Sequence, residues 1–218
     1  GDSAGLLTIT GGEVIPGKNG GTNFTGSLLV GHATTGTLSS ADNNTGVGIT
    51  ALDALTTGDK NTAVGTLAGS AEATGNDNTY IGYRSGTVSN GSTYNTALGS
   101  DSLVSVTSGG RNTAIGRRGL SSNQTGTYNT AIGYESGRVV TGAYNTTIGA
   151  QAGDNITSGD GNVIIGQIDA GSATGDRQLL IAGYDGTTTT TWISGDSSGN
   201  VTMTLAADQI TSTQLTGA

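Results

Sequence analysis

Cysteine is absent from the 218 residues, which removes disulfides, thiolate metal sites and a cysteine nucleophile together. There is one proline, and no Gly-X-Y period accompanies the 40 glycines, so a collagen triple helix is excluded. No apolar run approaches the length that a membrane-spanning helix needs. Cations are scarce. Eight Lys and Arg stand against 16 Asp and Glu, a net charge of −8, and no basic stripe exists to displace the counterions of a nucleic acid. One Phe, one Trp and one Met cannot furnish a large conventional globular core.

What the chain has instead is glycine and threonine, together over a third of its residues. Low hydrophobicity of this kind accompanies disorder when net charge and proline are high, but only 11% of these residues are charged. Glycine, threonine and small apolar residues also build regular arrays of short strands and tight turns. Such an array must show a period.

The period is 17 residues. A pentad Asn-Thr-x-(Val/Ile/Leu)-Gly begins at Asn44, Asn61, Asn78, Asn95, Asn112, Asn129, Asn145 and Asn162, with spacings of 17, 17, 17, 17, 17, 16 and 17. SLLVG at Ser27 is a degenerate first copy and QLLIAG at Gln178 a fraying last one. Four residues after each pentad glycine comes Gly or Leu (Gly69, Gly86, Leu103, Leu120, Gly137, Gly153), and a Gly-containing turn precedes the next Asn. Each unit therefore reads as strand, turn, short strand, turn. One unit cannot bury an apolar face alone, so the copies must stack as a solenoid. About ten coils at a strand spacing of ~4.8 Å give a rod on the order of 50 Å long.

Within the pentad, side chains alternate across the strand. The fourth position is always branched and apolar: Val30, Val47, Val64, Ile81, Leu98, Ile115, Ile132, Ile148 and Ile165. This column is expected to point inward as the core ladder. The third position is mostly small (Gly46, Ala63, Ala97, Ala114, Ala131, Thr147) and is expected to face outward, toward solvent or a closely approaching subunit. The leading residues Asn44, Asn61, Asn78, Asn95, Asn112, Asn129, Asn145 and Asn162 can stack their amides from coil to coil.

Stacked NTAIG pentads, as at Asn112 to Gly116 and Asn129 to Gly133, resemble the head repeats of trimeric autotransporter adhesins. They are more similar still to the Asn-Thr-Ala-(Val/Ile)-Gly-Tyr arrays of phage tail-fibre proteins, NTAIGYESG at Asn129 to Gly137 being the best example. The resemblance covers residues 27–183. It implies an all-β, left-handed parallel β-roll packed side by side as a homotrimer. Adhesin-head repeats are typically shorter than 17 residues.

Three segments follow: an N-terminal cap or attachment segment (1–26), the repeat β-roll (27–183), and a C-terminal hairpin and tail (184–218). Leu6 to Thr10 reads as a strand, and Ile193 and Val201 flanking GDSSGN as a β-hairpin. Ala206 to Ala218 reads as a short helix or the start of a stalk. The chain opens with Gly and shows no signal peptide, consistent with a fragment or a processed product.

No catalytic, cofactor-binding or metal-binding residues are expected. His32 is the sole histidine and lacks partners for a triad or a metal site. G-x-S-x-G, a Walker loop and H-E-x-x-H are all missing. Paired carboxylates would be needed to cleave a glycosidic bond. Glu72 and Glu135, and Asp101 and Asp154, occupy different places in the repeat, while Asp59 and Asp160 share a place six coils apart. Asp59, Asp77 and Asp160 are expected to cap turn N–H groups. Six of the seven tyrosines lie between Tyr80 and Tyr144, and Tyr94, Arg111, Tyr128 and Tyr144 occupy one slot just before the Asn. That stripe is a candidate contact for a saccharide or protein, or else a stabilising ladder at the coil edge.

The expectation is thus a structural, non-enzymatic fibre protein of a phage virion, exposed on its surface. Its partners would be two further copies of itself, other virion proteins and a host surface glycan or protein. It would not bind nucleic acid or insert into a membrane. A bacterial trimeric surface adhesin head is one alternative. An ice-binding solenoid is another, although Thr45, Thr62, Thr79, Thr96, Thr113 and Thr130 share a face with the apolar column and would be partly covered if that column points inward.

Overall fold

The computed structural model describes residues 17–19, 25–31 and 39–204. The expected strand at Leu6 to Thr10, His32 and the tail from Ala206 lie outside them.

The period seen in the sequence becomes one strand per coil. Strand β1 (Gly17–Asn19) pairs antiparallel with β2 (Leu28–Val30). From β2 the chain stacks in parallel through β3 (Thr45–Val47), β4 (Thr62–Val64), β5 (Thr79–Ile81), β6 (Thr96–Leu98) and β7 (Thr113–Ile115). It continues through β8 (Thr130–Ile132), β9 (Thr146–Ile148), β10 (Val163–Ile165) and β11 (Leu179–Tyr184). The result is an all-β parallel solenoid of about nine turns with coils of about 17 residues. Registers are in phase: Thr pairs with Thr and the apolar fourth position with its counterpart on the next coil. The chain ends in antiparallel strands β12 (Thr189–Gly195) and β13 (Val201–Met203), the hairpin anticipated around residues 196–200.

The second half of each coil is turns, not the short strand expected there. Glycine and left-handed corners explain the difference. Thr50, Leu67, Arg84, Asp101, Arg118, Glu135 and Gln151 all have φ between 53° and 63°, a conformation that interrupts any extended run. The coils still bond to one another there, as Gly69 N–H to the Ser85 carbonyl at 2.9 Å and Ala71 N–H to the Thr87 carbonyl at 3.1 Å.

The pentad glycine is fixed by crowding between coils. Gly116 has φ 124°, and a Cβ there would sit 2.4 Å from the Gly133 carbonyl oxygen. Each coil rests its own glycine on that of the next at this column. No other residue fits.

The core reverses the expected faces. Leu29, Ala63, Tyr80, Ala97, Ala114, Ala131 and Ile164, all from the third pentad position, are buried, as are the ladder asparagines. The branched column points outward instead: Val47, Val64, Ile81, Leu98, Ile115, Ile132 and Ile148 are 36–45% exposed, and Val30 and Ile165 are half-buried. The physical reason is the thinness of the roll. Bulk arrives from the opposite wall, through Leu52, Leu55, Leu103, Val106, Leu120, Val140 and Ile156, so the strand can contribute only small residues. Where the strand does send in a large side chain the far wall recedes. Tyr80 faces Gly69 and Gly86, whose Cβ atoms would lie 2.8 and 2.4 Å from its ring.

Candidate functional site

The asparagines form a hydrogen-bonded ladder through the roll. Each Oδ1 accepts the backbone N–H of the next asparagine, from Asn44 to Asn61 at 2.8 Å through Asn145 to Asn162 at 3.0 Å. From Asn44 to Asn145 each Nδ2 donates to a turn carbonyl on its own coil, Asn112 to Gly126 at 2.8 Å and Asn145 to Gly159 at 2.8 Å, for example, whereas Asn162 Nδ2 donates to Asn145 Oδ1 at 2.9 Å. One side chain type thus joins strand, turn and neighbouring coil. In-register stacking of identical amides allows this, and burial makes it obligatory.

The Tyr/Arg stripe is one continuous stack. Arg111 lies between the rings of Tyr94 and Tyr128, its guanidinium carbon 5.0 and 5.3 Å from their centroids. Tyr128 and Tyr144 stack at 4.9 Å with their planes 9° apart. All four residues take left-handed φ angles of 59–61° at the corner preceding the strand. A second column borders the other end of the strands, where Arg117 lies 5.7 Å over Tyr134 and Arg84 lies 6.0 Å from Tyr83. Tyr128 is stacked on both faces, by Arg111 and Tyr144, while Tyr94 and Tyr144 at the ends of the stack each have one such partner. The arrangement ties successive coils to one another through stacking and cation–π contacts.

The acids divide into caps, pairs and one buried group. Asp59 and Asp160 accept turn N–H groups of the preceding coil, from Asp42 and Ala143 respectively, each at 2.7 Å. Asp77 instead occupies the left-handed corner, at φ 57°. Asp101 pairs with Arg84 at 3.3 Å and Glu135 with Arg118. Glu72 is sealed inside the roll. Its carboxylate accepts the N–H groups of Gly75 and Gly91 at 2.7 and 2.8 Å and the hydroxyls of Tyr80 (3.3 Å) and Ser89. Burial, and then the negative charge of Glu72, raise the Tyr80 hydroxyl well above its ordinary pKa. Glu, Tyr and Ser in contact look like chemistry, but every member is fully buried, and a substrate cannot reach them. Nothing in the sequence period signalled this cluster except Tyr80, the one aromatic residue at position three.

One accessible cleft departs from the repeat. The turns after β9 and β10 meet β12 around a cavity of about 430 Å³ lined by Gln151, Asp154, Gln167, Ile168, Asp169, Thr189 and Thr191. The Gln167 amide donates to the Gln151 carbonyl oxygen at 3.2 Å. Partial burial, and then a hydrogen bond shared with Asp169, raise the Asp154 carboxyl above the usual range, while Arg138 at 3.9 Å opposes this. Among the described residues, no three His, Cys, Asp or Glu side chains gather as a metal site.

No helix among the described residues is long and apolar enough to cross a membrane. No family model, curated protein or solved structure matches the chain.

Proposed function

We propose that the chain is a non-enzymatic rod segment of a phage tail fibre or similar virion appendage, assembled from three copies side by side. The observation that carries this is the outward apolar column. It runs from Val30 to Ile165, passes in register to Ile181, and continues to Ile193 and Met203. A strip of ten stacked strands at ~4.8 Å spacing, one side chain row plus its Thr neighbours wide, amounts to roughly 400 Å². A continuous strip of about that size, regular over every coil, is of the kind that often serves as a contact surface. The Tyr and Arg columns at both ends of the strands match the residue types enriched at interfaces. Cyclic closure of three rolls would cover the strip on every copy without open-ended polymerisation.

In this reading the rod spaces and presents contact with a host surface glycan or protein, joined to other virion proteins at its ends. Sedimentation equilibrium tests it: a mass near three times 21.3 kDa supports the assembly, and a mass near one chain sinks it. A trimeric adhesin head of a bacterial surface would use the same strip and is separated by the genetic context of the full gene.

The outward Thr column favours one second reading. Thr45, Thr62, Thr79, Thr113 and Thr130 are half-buried and Thr96 exposed, beside the Val/Ile column on the same flat face and not under a core. A regular array of hydroxyls and methyl groups on a rigid sheet suits ice binding. Thermal hysteresis from a chain that sediments as a monomer would select that reading over the fibre.

A further inference from the structure

Which surface remains open for a ligand follows from the alternation in β12. Side chains of successive strand residues point to opposite faces, and a β-bulge resets the count. Ile181 pairs with Ile193 and Ala182 with Thr191, which makes Trp192 the extra residue. Trp192 lies over Gly183, where a Cβ would stand 2.5 Å from its ring, and so joins Ile193 on the face of the apolar column. Thr189 and Thr191 point the other way, into the cleft with Gln151, Gln167 and Asp169. The cleft therefore lies behind the strip proposed to be covered by neighbouring copies.

Its lining is not a by-product of the period. Coil by coil the sixth and seventh positions vary, and here two amides, two carboxyls and two threonines from three separate segments converge. The Gln151–Gln167 bond uses one atom of each amide and leaves Gln151 Nε2 and Gln167 Oε1 with no hydrogen-bond partner among the described residues. The Thr189 hydroxyl donates to the Gln167 main-chain carbonyl at 3.4 Å, Thr191 adds a second hydroxyl to the lining, and Ile168 supplies one apolar wall. Donors, acceptors and a small apolar patch in one concavity are the complement of a polyol ring. An anionic ligand would meet Asp154 and Asp169, and two carboxyls alone do not make a cation cage.

We infer that this cleft is a subsite for one or two residues of an uncharged saccharide. The inference rests on the fibre reading, because that reading covers the opposite face and calls for a host contact. Its test uses the full chain titrated calorimetrically with neutral probes (maltotriose, chitotriose and lactose), with sialyllactose as the acidic probe and CaCl₂ as the cation probe.

Saturable binding of a neutral probe is expected, weakened about 10-fold or more by Gln167→Ala and again by Thr191→Val, from the opposite wall. Tyr128→Phe, on the stacked stripe, should leave the affinity unchanged. Circular dichroism melts confirm that the variants fold. Binding of Ca²⁺ alone, a preference for sialyllactose, or neutral binding insensitive to both cleft variants each overturns the inference. So does the lack of binding to every neutral probe at millimolar concentration. A three-chain mass together with any of these results removes the cleft assignment and leaves the fibre reading standing. A one-chain mass removes the fibre reading whatever the titrations give.

Discussion

Replacing Asn112 by alanine removes one rung from the middle of the amide ladder, and its cost can be worked from the bonds lost. Asn112 Oδ1 accepts the Asn129 N–H at 3.0 Å, and Nδ2 donates to the Gly126 carbonyl at 2.8 Å and to Asn95 Oδ1 at 3.2 Å. After truncation Asn95 Oδ1 keeps the Asn112 N–H at 3.0 Å, so that end stays satisfied. The Asn129 N–H and the Gly126 carbonyl do not. An orphaned buried polar group costs roughly 1–3 kcal/mol, so the pair should cost about 4 kcal/mol. Asn112→Asp keeps the shape and the acceptor but turns the donor into an oxygen facing two other oxygens. It should cost at least as much at pH 7 and recover partly as its carboxyl protonates in acid. Urea unfolding at one fixed protein concentration, followed by far-UV circular dichroism, gives both numbers. Because coils couple to nearest neighbours, the variant's transition should also broaden or split, with Trp192 fluorescence following the C-terminal part alone. A loss below about 1 kcal/mol for Asn112→Ala would refute the reasoning, since it would mean that water replaces the amide inside the wall.

Four further outcomes are expected. Asn123 is buried with neither side-chain oxygen nor nitrogen hydrogen-bonded, in the column that holds Val106 and Val140; Asn123→Val should stabilise the protein by ~1–3 kcal/mol in the same urea assay. Tyr80, raised in the folded state, contributes stability that is fully present below the unfolded tyrosine value of about 10 and is lost as pH rises beyond it. Thermal melts from pH 8 to 11.5 should therefore fall more steeply for the native chain than for Tyr80→Phe. Gly116→Ala forces a Cβ against the Gly133 carbonyl at a φ of 124°, and should lower stability by several kcal/mol, about 3 or more, or abolish soluble expression. The double change Ile115→Asp with Ile132→Asp puts charge on the outward strip. It should shift the sedimenting mass toward one chain while the circular dichroism spectrum of the coil is retained.

Much of this architecture is legible in the sequence because the solenoid repeats its own constraints. The asparagine column, the pentad glycine and the hairpin at residues 196–200 each follow from residue type and spacing, and each stands where expected. Parity within the strand is legible too. Thr and the branched residue share one face and Asn shares the other with position three. Which face is inside is not. Hydrophobicity alone assigns Ile115 inward and Ala114 outward, and the structure does the opposite. The asparagine carried the missing signal: a ladder of amides that bonds to backbone on two coils belongs in the wall's interior, and position three must accompany it. The cleft at Gln151 and Asp169 was not legible, because it depends on where β12 returns after the period has failed.

The reversal of faces changes how stability should be thought of in this chain. In a conventional domain the largest aliphatic side chains fill the core, and association adds to a fold already secured. Here the strands close the interior mostly with alanine, glycine and backbone-bonded asparagine, Leu29, Tyr80 and Ile164 being the large exceptions, and the other leucines and valines enter from the turns. The branched residues of ten successive strands remain outside. The part of them still exposed contributes nothing until a second surface meets it, and roughly 400 Å² per copy at about 25 cal/mol per Å² is a gross gain of ~10 kcal/mol per copy, comparable to the stability of a typical domain. Folding and assembly are therefore coupled under the fibre reading, and the melting temperature must rise with protein concentration. A melting temperature independent of concentration over a hundred-fold dilution, with the single-chain mass, would instead assign the strip to a ligand that is not a copy of the chain.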